Sequence, residues 1–492
     1  MAIALACAAV APARAQEGGG LSLDEVLRTT LSANADIRRA TWEVERQGAG
    51  VRVAGGAFDP QVAAGLSSAA DRSPLFGTEN VPGIQSTNTV TYDVGVDQPF
   101  RSGLVVSPAL SFSRLDAVGQ SLGPRNQAVA TLGLTMPLLR GRGGGMALAG
   151  ERAAVMLHAA SASELEFARS RALLGAVEAY WSYVAAHARL AVLRETEERS
   201  ERNVQQTRML VAADQRPAVD LLPLEANLAS RRAARISGER GLITARQELG
   251  RAMGIPPAEV MRLAPPSTDF PSGPGAAGIA ADSGIVSRAL QLRPDLEAAR
   301  RQHDAARDLL AGYRRETRPR LDLSVTLGYQ GLEAGDEWGR YVSPFYSELG
   351  GMHTRLEVIY GMPLRNRLAD GQARQGYAAE QQAALAYAEL RRQVELDAAA
   401  ALETLQRSAE ELVLFDEAAR LHALSLESEQ RRYQLGTSTI FDIINAEEGL
   451  TSATLSEIEA RRTYAVSLAR LRHETGMLLP GGAPDARALT GG

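Results

Sequence analysis

The sequence repeats itself, and the repeat constrains the fold before any single residue does. "ANADIRRATWEVERQGAGVRVAGGAFDPQVAAGLS" at 33–67 resembles "LRPDLEAARRQHDAARDLLAGYRRETRPRLDLSVT" at 292–326, with Asp36 on Asp295 and Pro60 on Pro319. "LTMPLLRGR" at 134–142 matches "YGMPLRNRL" at 360–368. "RMLVAADQRPAVDLLPLEANL" at 208–228 aligns with "QRRYQLGTSTIFDIINAEEGL" at 430–450, placing Asp220 on Asp442 and Glu225 on Glu447. "RQELGRAMG" at 246–254 closes the first copy as "LARLRHETG" at 468–476 closes the second. The copies are therefore read as 16–254 and 285–476. The segment 255–284 is dense in Pro, Gly, Ala and Ser and reads as an extended surface connection. Residues 477–492 read as a flexible tail.

Each copy reads helix, strands, very long helix, break, helix. Ile285, Ala289, Leu292, Leu296, Ala299, His303, Ala306, Leu310 and Tyr313 alternate steps of four and three, the period of a coiled-coil seam. Ala162, Leu165, Ala172, Ala176, Ala179, Tyr183, Ala186, Leu190 and Leu193 repeat the pattern in the first copy. The uninterrupted helix expected at about 146–211 would be roughly 100 Å long at about 1.5 Å per residue, too long for a compact domain. Its counterpart is about 369–435. The shorter helices, about 22–56 with 217–253 and about 285–317 with 439–475, match the long ones when stacked end to end. This is the arithmetic of a long tube wall.

Between the helices the period changes to two. Leu321, Leu323, Val325, Leu327 and Tyr329 alternate with Asp322, Ser324, Thr326 and Gln330. Val90, Tyr92, Val94 and Val96 oppose Thr91, Asp93 and Asp97, and Ala130, Leu132, Leu134 and Met136 oppose Thr131 and Thr135. Strands are expected near 58–68, 89–98, 103–114 and 128–137, within the span 58–137, and near 320–330 and 352–361. The offset between copies falls from 259 at Pro60 to 226 at Met136, so the first copy has room for one extra hairpin. Strands of about ten residues with one apolar and one polar face suit a barrel with lipid outside and water inside. A soluble sandwich gives the same alternation. Six strands cannot close around water, and an open edge in lipid is forbidden, so several chains must share one barrel.

"MAIALACAAVAPARAQ" reads as a signal peptide, 1–15, with Ala13 and Ala15 at the cleavage site and Gln16 first in the mature chain. The sole cysteine, Cys7, falls inside it, which leaves no disulfide and no thiolate metal site beyond. No later run of 18 apolar residues reads as a membrane helix. Basic residues are matched by acidic ones throughout, with a formal net charge of −5, so no nucleic-acid surface is expected.

Together the duplicated layout, the strand-to-helix "MPLLRG" and "MPLRN" turns and "YQLGTSTIFDIINAEEGL" resemble the TolC family of outer-membrane efflux and secretion ducts over nearly the whole mature chain. The resemblance implies an α+β membrane protein whose duplicated helix–strands–helix unit forms, as a trimer, a shared outer-membrane β-barrel and a long periplasmic α-helical barrel. It implies a homotrimer in contact with outer-membrane lipid, working with a periplasmic adaptor (membrane fusion) protein and an inner-membrane pump or ABC exporter, without a cofactor and without enzymatic chemistry. The breaks at about 212–217 and 436–439 become hairpin tips, with Asp214, Leu435, Gly436 and Thr437 as adaptor contacts. Gly436 suits a left-handed helix end, Thr437, Ser438 and Thr439 suit capping, and Asp214 stands where Gly436 stands. In the family pattern Asp442 matches an acidic residue that rings the constricted mouth, Asp220 is its first-copy equivalent, and Tyr433 matches a tyrosine bonded across hairpins to the first-copy aspartate. A second acidic ring position is Asn445 here and a family arginine is Ser438. Read from the residues alone, Asp220 and Asp442 fit equally well as helix caps or solvated first-turn carboxylates.

Catalytic patterns are missing from the sequence. His158, His187, His303, His353, His422 and His473 are scattered, and Glu447 with Glu448 reads as a solvated helix face. The competing class is a periplasmic structural coiled-coil protein without a pore, which has no use for six alternating strands.

Overall fold

The structure, a computed structural model, describes residues 20–76, 82–118, 124–273, 284–335, 342–435 and 437–479. The expected leader with Cys7 and Gln16, the centre of the linker, Gly436 and nearly all of the tail lie outside them. The chain divides into two compact units: Met1–Trp42, Ser163–Leu296 and Glu389–Gly492 form one, and Glu43–Ala162 with Glu297–Ala388 form the other.

The second unit is built on one antiparallel sheet in sequence order, β1 (Gln61–Phe76), β2 (Pro82–Pro99), β3 (Val105–Val118), β4 (Arg125–Pro137), β5 (Arg320–Ala334) and β6 (Gly350–Gly361). Four strands come from the first copy and two from the second. Register puts like on like: Leu66 faces Tyr92, Tyr92 faces Phe112, Leu132 faces Leu327 and Val325 faces Leu356. On the other face the Ser107 hydroxyl donates to Asp97 at 2.5 Å, that of Ser111 to Asp93 at 2.6 Å, and Thr135 meets Ser324 at 3.3 Å. The strands are 12 to 18 residues long, longer than the expected ten. An antiparallel ladder continues wherever backbone groups pair, so polar stretches such as Asp71–Ser73 stay in the sheet although the apolar alternation has ended. The apolar face is not bare throughout. A 3₁₀ turn, Ser343–Tyr346, places Phe345 5.7 Å from the Phe112 ring and 6.3 Å from that of Tyr329.

The first unit is helical. It draws on α1 (Leu23–Ala33), α2 (Ala35–Gly55), α3 (Gly145–Ala212), α4 (Leu221–Met253), α5 (Pro257–Val260), α6 (Ile285–Leu292), α7 (Pro294–Glu316), α8 (Arg367–Gln434) and α9 (Ile440–Glu474), of which α2, α3, α7 and α8 also contribute residues to the other unit. Its core joins Leu23, Val26 and Leu27 of α1 to Leu173, Val177, Tyr180 and Trp181 of α3, Leu249 and Met253 of α4, and Ala465 and Ala469 of α9. Among the described residues no helix is long and apolar enough to cross a membrane.

Three expectations are corrected here. The helices expected at 22–56 and 285–317 are each broken, at Asn34 (ψ 129°) and Arg293 (ψ 120°). Arg293 precedes Pro294, which disfavours the helical region, while the Asn34 side chain accepts from the backbone N–H of Asp36 and Ile37 and restarts the helix. Beyond the break Leu296 and Leu310 are buried as expected, while at the alanine positions burial falls on Ala298 and Ala305 rather than Ala299 and Ala306. Next, the linker is no bare surface connection where it is described. Leu21 pairs with Pro266, the Tyr180 hydroxyl donates to Leu21 O at 2.9 Å, and Phe270 stacks on Trp181 at 5.5 Å. Apart from the short α5, which Pro257 opens, its prolines interrupt regular structure, but its apolar residues still find the core. Last, Glu447 is buried beside Asn203 Nδ2, 3.4 Å away, and burial pushes its pKa up; Glu448 alone is exposed.

Each copy ends on a glycine seated in its own helix break. Gly254 (φ 77°) would drive a Cβ to 2.8 Å from Ala33 O, and Gly476 (φ 72°) to 2.9 Å from Leu292 C. Beside the second break the buried Arg293 guanidinium holds Asp295 at 2.6 Å, bonds Glu474 and lies over Phe167 at 5.4 Å. His473 packs against the same knot, 2.8 Å from Ser170 Oγ, with Arg171 and Arg470 also near. Burial, with the Arg293 charge, lowers its pKa from 6.5 to about 4. The ring is neutral in both folded and unfolded chain above pH 6.5. As pH falls from 6.5 towards 4, only the unfolded chain takes up the proton, so stability declines, by up to about 3 kcal/mol. The urea midpoint of the helical unit is expected to drop between pH 7.5 and 5, and His473→Gln is expected to flatten that slope. An equal slope in both proteins would refute the assignment.

The two helical tips as candidate functional site

The tips lie in the helical unit, between α3 and α4 in the first copy and between α8 and α9 in the second. Both helix ends close with the same bond at matched positions: Gln215 N–H donates to Leu210 O at 2.9 Å, and Thr437 N–H to Arg432 O at 2.9 Å. That bond spans a residue in the left-handed region at the first tip, Asp214 at φ 58°. A non-glycine residue is tolerated there because a short polar side chain carries less steric penalty than a branched one. Gly436, at the matching position, is outside the described residues.

Past each closure the helices restart differently. In the first copy Pro217 opens a 3₁₀ turn, Ala218–Asp220, which runs into α4. Asp220 occupies the cap position but its side chain makes no capping bond. In the second copy Thr439 caps α9 in a full capping box: its hydroxyl accepts from Asp442 N at 3.4 Å, and Asp442 Oδ2 accepts from Thr439 N at 2.8 Å and Oγ1 at 2.7 Å. These bonds, led by the Thr439 hydroxyl, hold the Asp442 pKa below the usual carboxylate range, so its charge persists through neutral and mildly acidic pH. Ser438 bridges Glu429 at 2.8 Å and Asp442 at 3.2 Å.

The two tips meet through a residue that the sequence reading passed over. Arg216 lies 5.0 Å from the Tyr433 ring centroid and 3.9 Å from Asp220 Oδ2. It sits two residues after Asp214, where the second copy has Ser438. Aligning the copies, rather than reading the second tip alone, exposes it. Asp220 and Tyr433 are thus brought together within one chain by the Arg216 cation. Among the described residues no hydrogen bond runs from the Tyr433 hydroxyl to Asp220. Beneath them Val204, Leu224, Leu228, Leu426, Ile440 and Ile443 form a small core against which Tyr433 packs. Asp442 is exposed and Leu435 is 78% exposed, so both face outward from that core. Thr437 turns its hydroxyl back to Arg432 O at 3.1 Å. No His/Cys/Asp/Glu grouping fit for a metal occurs among the described residues.

A β-branched residue at φ > 0 costs about 1–2 kcal/mol. Asp214→Val is therefore expected to speed amide exchange across 209–217, whereas Asp214→Gly leaves it slow. Equal exchange in the two variants would show that the left-handed turn is not what holds this tip.

The geometry can be set beside known proteins. The family model described as outer membrane efflux protein matches residues 26–255 and 285–477. The fold is shared with the outer-membrane channel OprN (18% identity, TM-score 0.68, covering 92% of this chain and 89% of that one). It is shared with the CmeC outer membrane channel of Campylobacter jejuni (15% identity, TM-score 0.67, 94% and 87%) and the outer membrane protein VceC of Vibrio cholerae (17%, 0.66, 92% and 96%). A comparison with curated protein sequences finds no match.

Proposed function

The chain belongs to the outer membrane efflux protein family, and we propose that three copies of it assemble into one duct whose periplasmic mouth is closed by the tips. It is an outer-membrane efflux channel with a periplasmic helical portion. The observation that carries the trimeric reading is the open sheet. Among the described residues β1 pairs only with β2 and β6 only with β5, so both outer edges have unpaired backbone groups. In hydrocarbon each such group costs several kcal/mol, and closure with further copies removes the cost. Three copies supply about eighteen strands. A pore-less coiled-coil protein has no role for that sheet.

The tips supply the remaining parts. Asp442, charged, exposed and fixed by its capping box, forms an acidic ring under three-fold symmetry, with Asp220 close by. Tyr433 and Arg216 tie the two tips of a chain together and hold the mouth closed. Leu435, Thr437 and Asp214 offer a surface to a periplasmic adaptor, which an inner-membrane pump or ABC exporter feeds; Gly436 joins them by its place in the sequence alone. The family is one of channel proteins, and the chain transports rather than transforms.

Purified protein is expected to migrate as a heat-modifiable oligomer and to conduct in planar bilayers. A stable monomer without conductance would overturn the duct. Close carboxylates attract cations, so Asp442→Ala is expected to lower cation preference and abolish block by trivalent cations. Thr439→Ala, which breaks the same capping box at about 1 kcal/mol but keeps the carboxylate, is the control. If both variants change selectivity alike, Asp442 acts as a cap and not as a ring.

A further inference from the structure

The helical unit contains a groove of about 1170 Å³ which the closing tips do not explain. It is lined by the first turn of α2, the middle of α3, the end of α4 and the end of α9. Five arginines line it against three carboxylates, Asp36, Glu178 and Glu248. Three of the arginines are neutralised: Arg39 by Asp36, Arg470 by Glu178 at 2.9 Å, and Arg462 by Glu459 at 3.0 Å. Arg171 and Arg251 are exposed and have no ion-pair partner among the described residues. Of the lining carboxylates only Glu248 stands outside these pairs, so Arg171 and Arg251 leave the groove an excess of one positive charge in a concave surface, where field lines concentrate. The floor between them is apolar and open. It is made by Phe167, Ala172, Ala179 and Val466, and a Cβ at Gly175 would meet nothing within 4 Å.

The position of the groove on α3 decides which way it faces. Leu173, Val177, Tyr180 and Trp181 point into the core formed with α1 and the linker. Arg171, Gly175, Glu178 and Ser182 lie on the other side of the same helix. A ring of such helices has the linker and α1 layer on one side and the groove on the other. That layer would obstruct the inside of a duct, so it belongs on the outside and the groove faces the passage.

We propose that this groove is a substrate-contacting station of the duct, selective for amphipathic organic anions, meaning an apolar or aromatic body with carboxylate, sulfonate or phosphate groups. Arg171 and Arg251 take the anionic groups, as planar guanidinium groups do for oxyanions, and the Phe167–Gly175–Val466 floor takes the body. The volume, about 1170 Å³, is somewhat above the roughly 300–1,000 Å³ of ordinary small-molecule sites and leaves room for a bulky aromatic body. The proposal rests on the duct reading and deepens it by naming a class of cargo.

The test uses the trisulfonated dye pyranine as a blocker of single channels, added to each chamber in turn. In 0.1 M KCl, where the Debye length is about 10 Å, wild-type channels are expected to be blocked, and block is expected to vanish in 1 M KCl. Arg171→Gln/Arg251→Gln is expected to weaken block about tenfold. Arg171→Lys/Arg251→Lys is expected to keep it within about threefold, since the charge remains. Channels of normal conductance whose block is the same in the glutamine variant would overturn this proposal and leave the duct intact. A protein that forms no channel at all would instead overturn the duct, and the cargo assignment with it.

Discussion

An unpaired sheet edge is the constraint on which the rest depends. β1 and β6 each present one row of backbone donors and acceptors that no strand of the described chain satisfies. In water such an edge is an aggregation hazard; in hydrocarbon it is untenable. The apolar face, with Leu66, Tyr92, Leu132, Leu327 and Leu356 in register, draws the sheet into hydrocarbon. The same face that makes membrane insertion favourable therefore makes oligomer closure obligatory. The polar face, with Asp93 and Asp97 bonded to serines, suits a water-filled interior and gains nothing from lipid.

In the helical unit the comparable constraint is how helix ends are satisfied. A helix end leaves backbone groups orphaned, and joining one helix to the end of another needs a partner for them. The two copies solve this with the same device, a terminal glycine seated in the break of the copy's first helix pair. They differ in the polar contact laid over it. Asn34 Nδ2 donates to Ala252 O at 2.9 Å in the first copy, while the second uses the Arg293–Asp295–Glu474 knot. A single amide hydrogen bond and a buried ion triad differ greatly in their response to losing a partner, because an uncompensated buried charge is far more costly than an unmet amide. The second junction is thus the more brittle of the two, and His473 makes it the more sensitive to acid.

At the tips, the group that caps a helix is also the group that carries the exposed charge. Asp442 fixes the start of α9 and for that reason stands charged and rigid at an exposed edge. Arg216 neutralises Asp220 and lies over Tyr433, so one cation both joins the tips and trims the acidity of the first copy. Elsewhere in the helical unit Arg171 and Arg251 outnumber the one unpaired carboxylate of their groove, Glu248.

The sequence by itself determined the duplication, the two long helices, the six strands with their faces and the places where the helices turn back. Those features are local: they follow from periodicity, from Pro and Gly, and from Ser/Thr/Asp at caps, all of which act over a few residues. Tertiary structure decided what depends on distant partners. Arg293 is a buried cation because Glu474, 181 positions away, meets its guanidinium at the helix break. Glu447 is buried because Asn203, 244 positions away, lies against it. The Pro-rich linker became part of the core because Trp181 offered Phe270 a flat apolar surface. The arginine groove was illegible for the same reason: in a chain with 53 basic residues, only packing reveals which stand apart from a carboxylate.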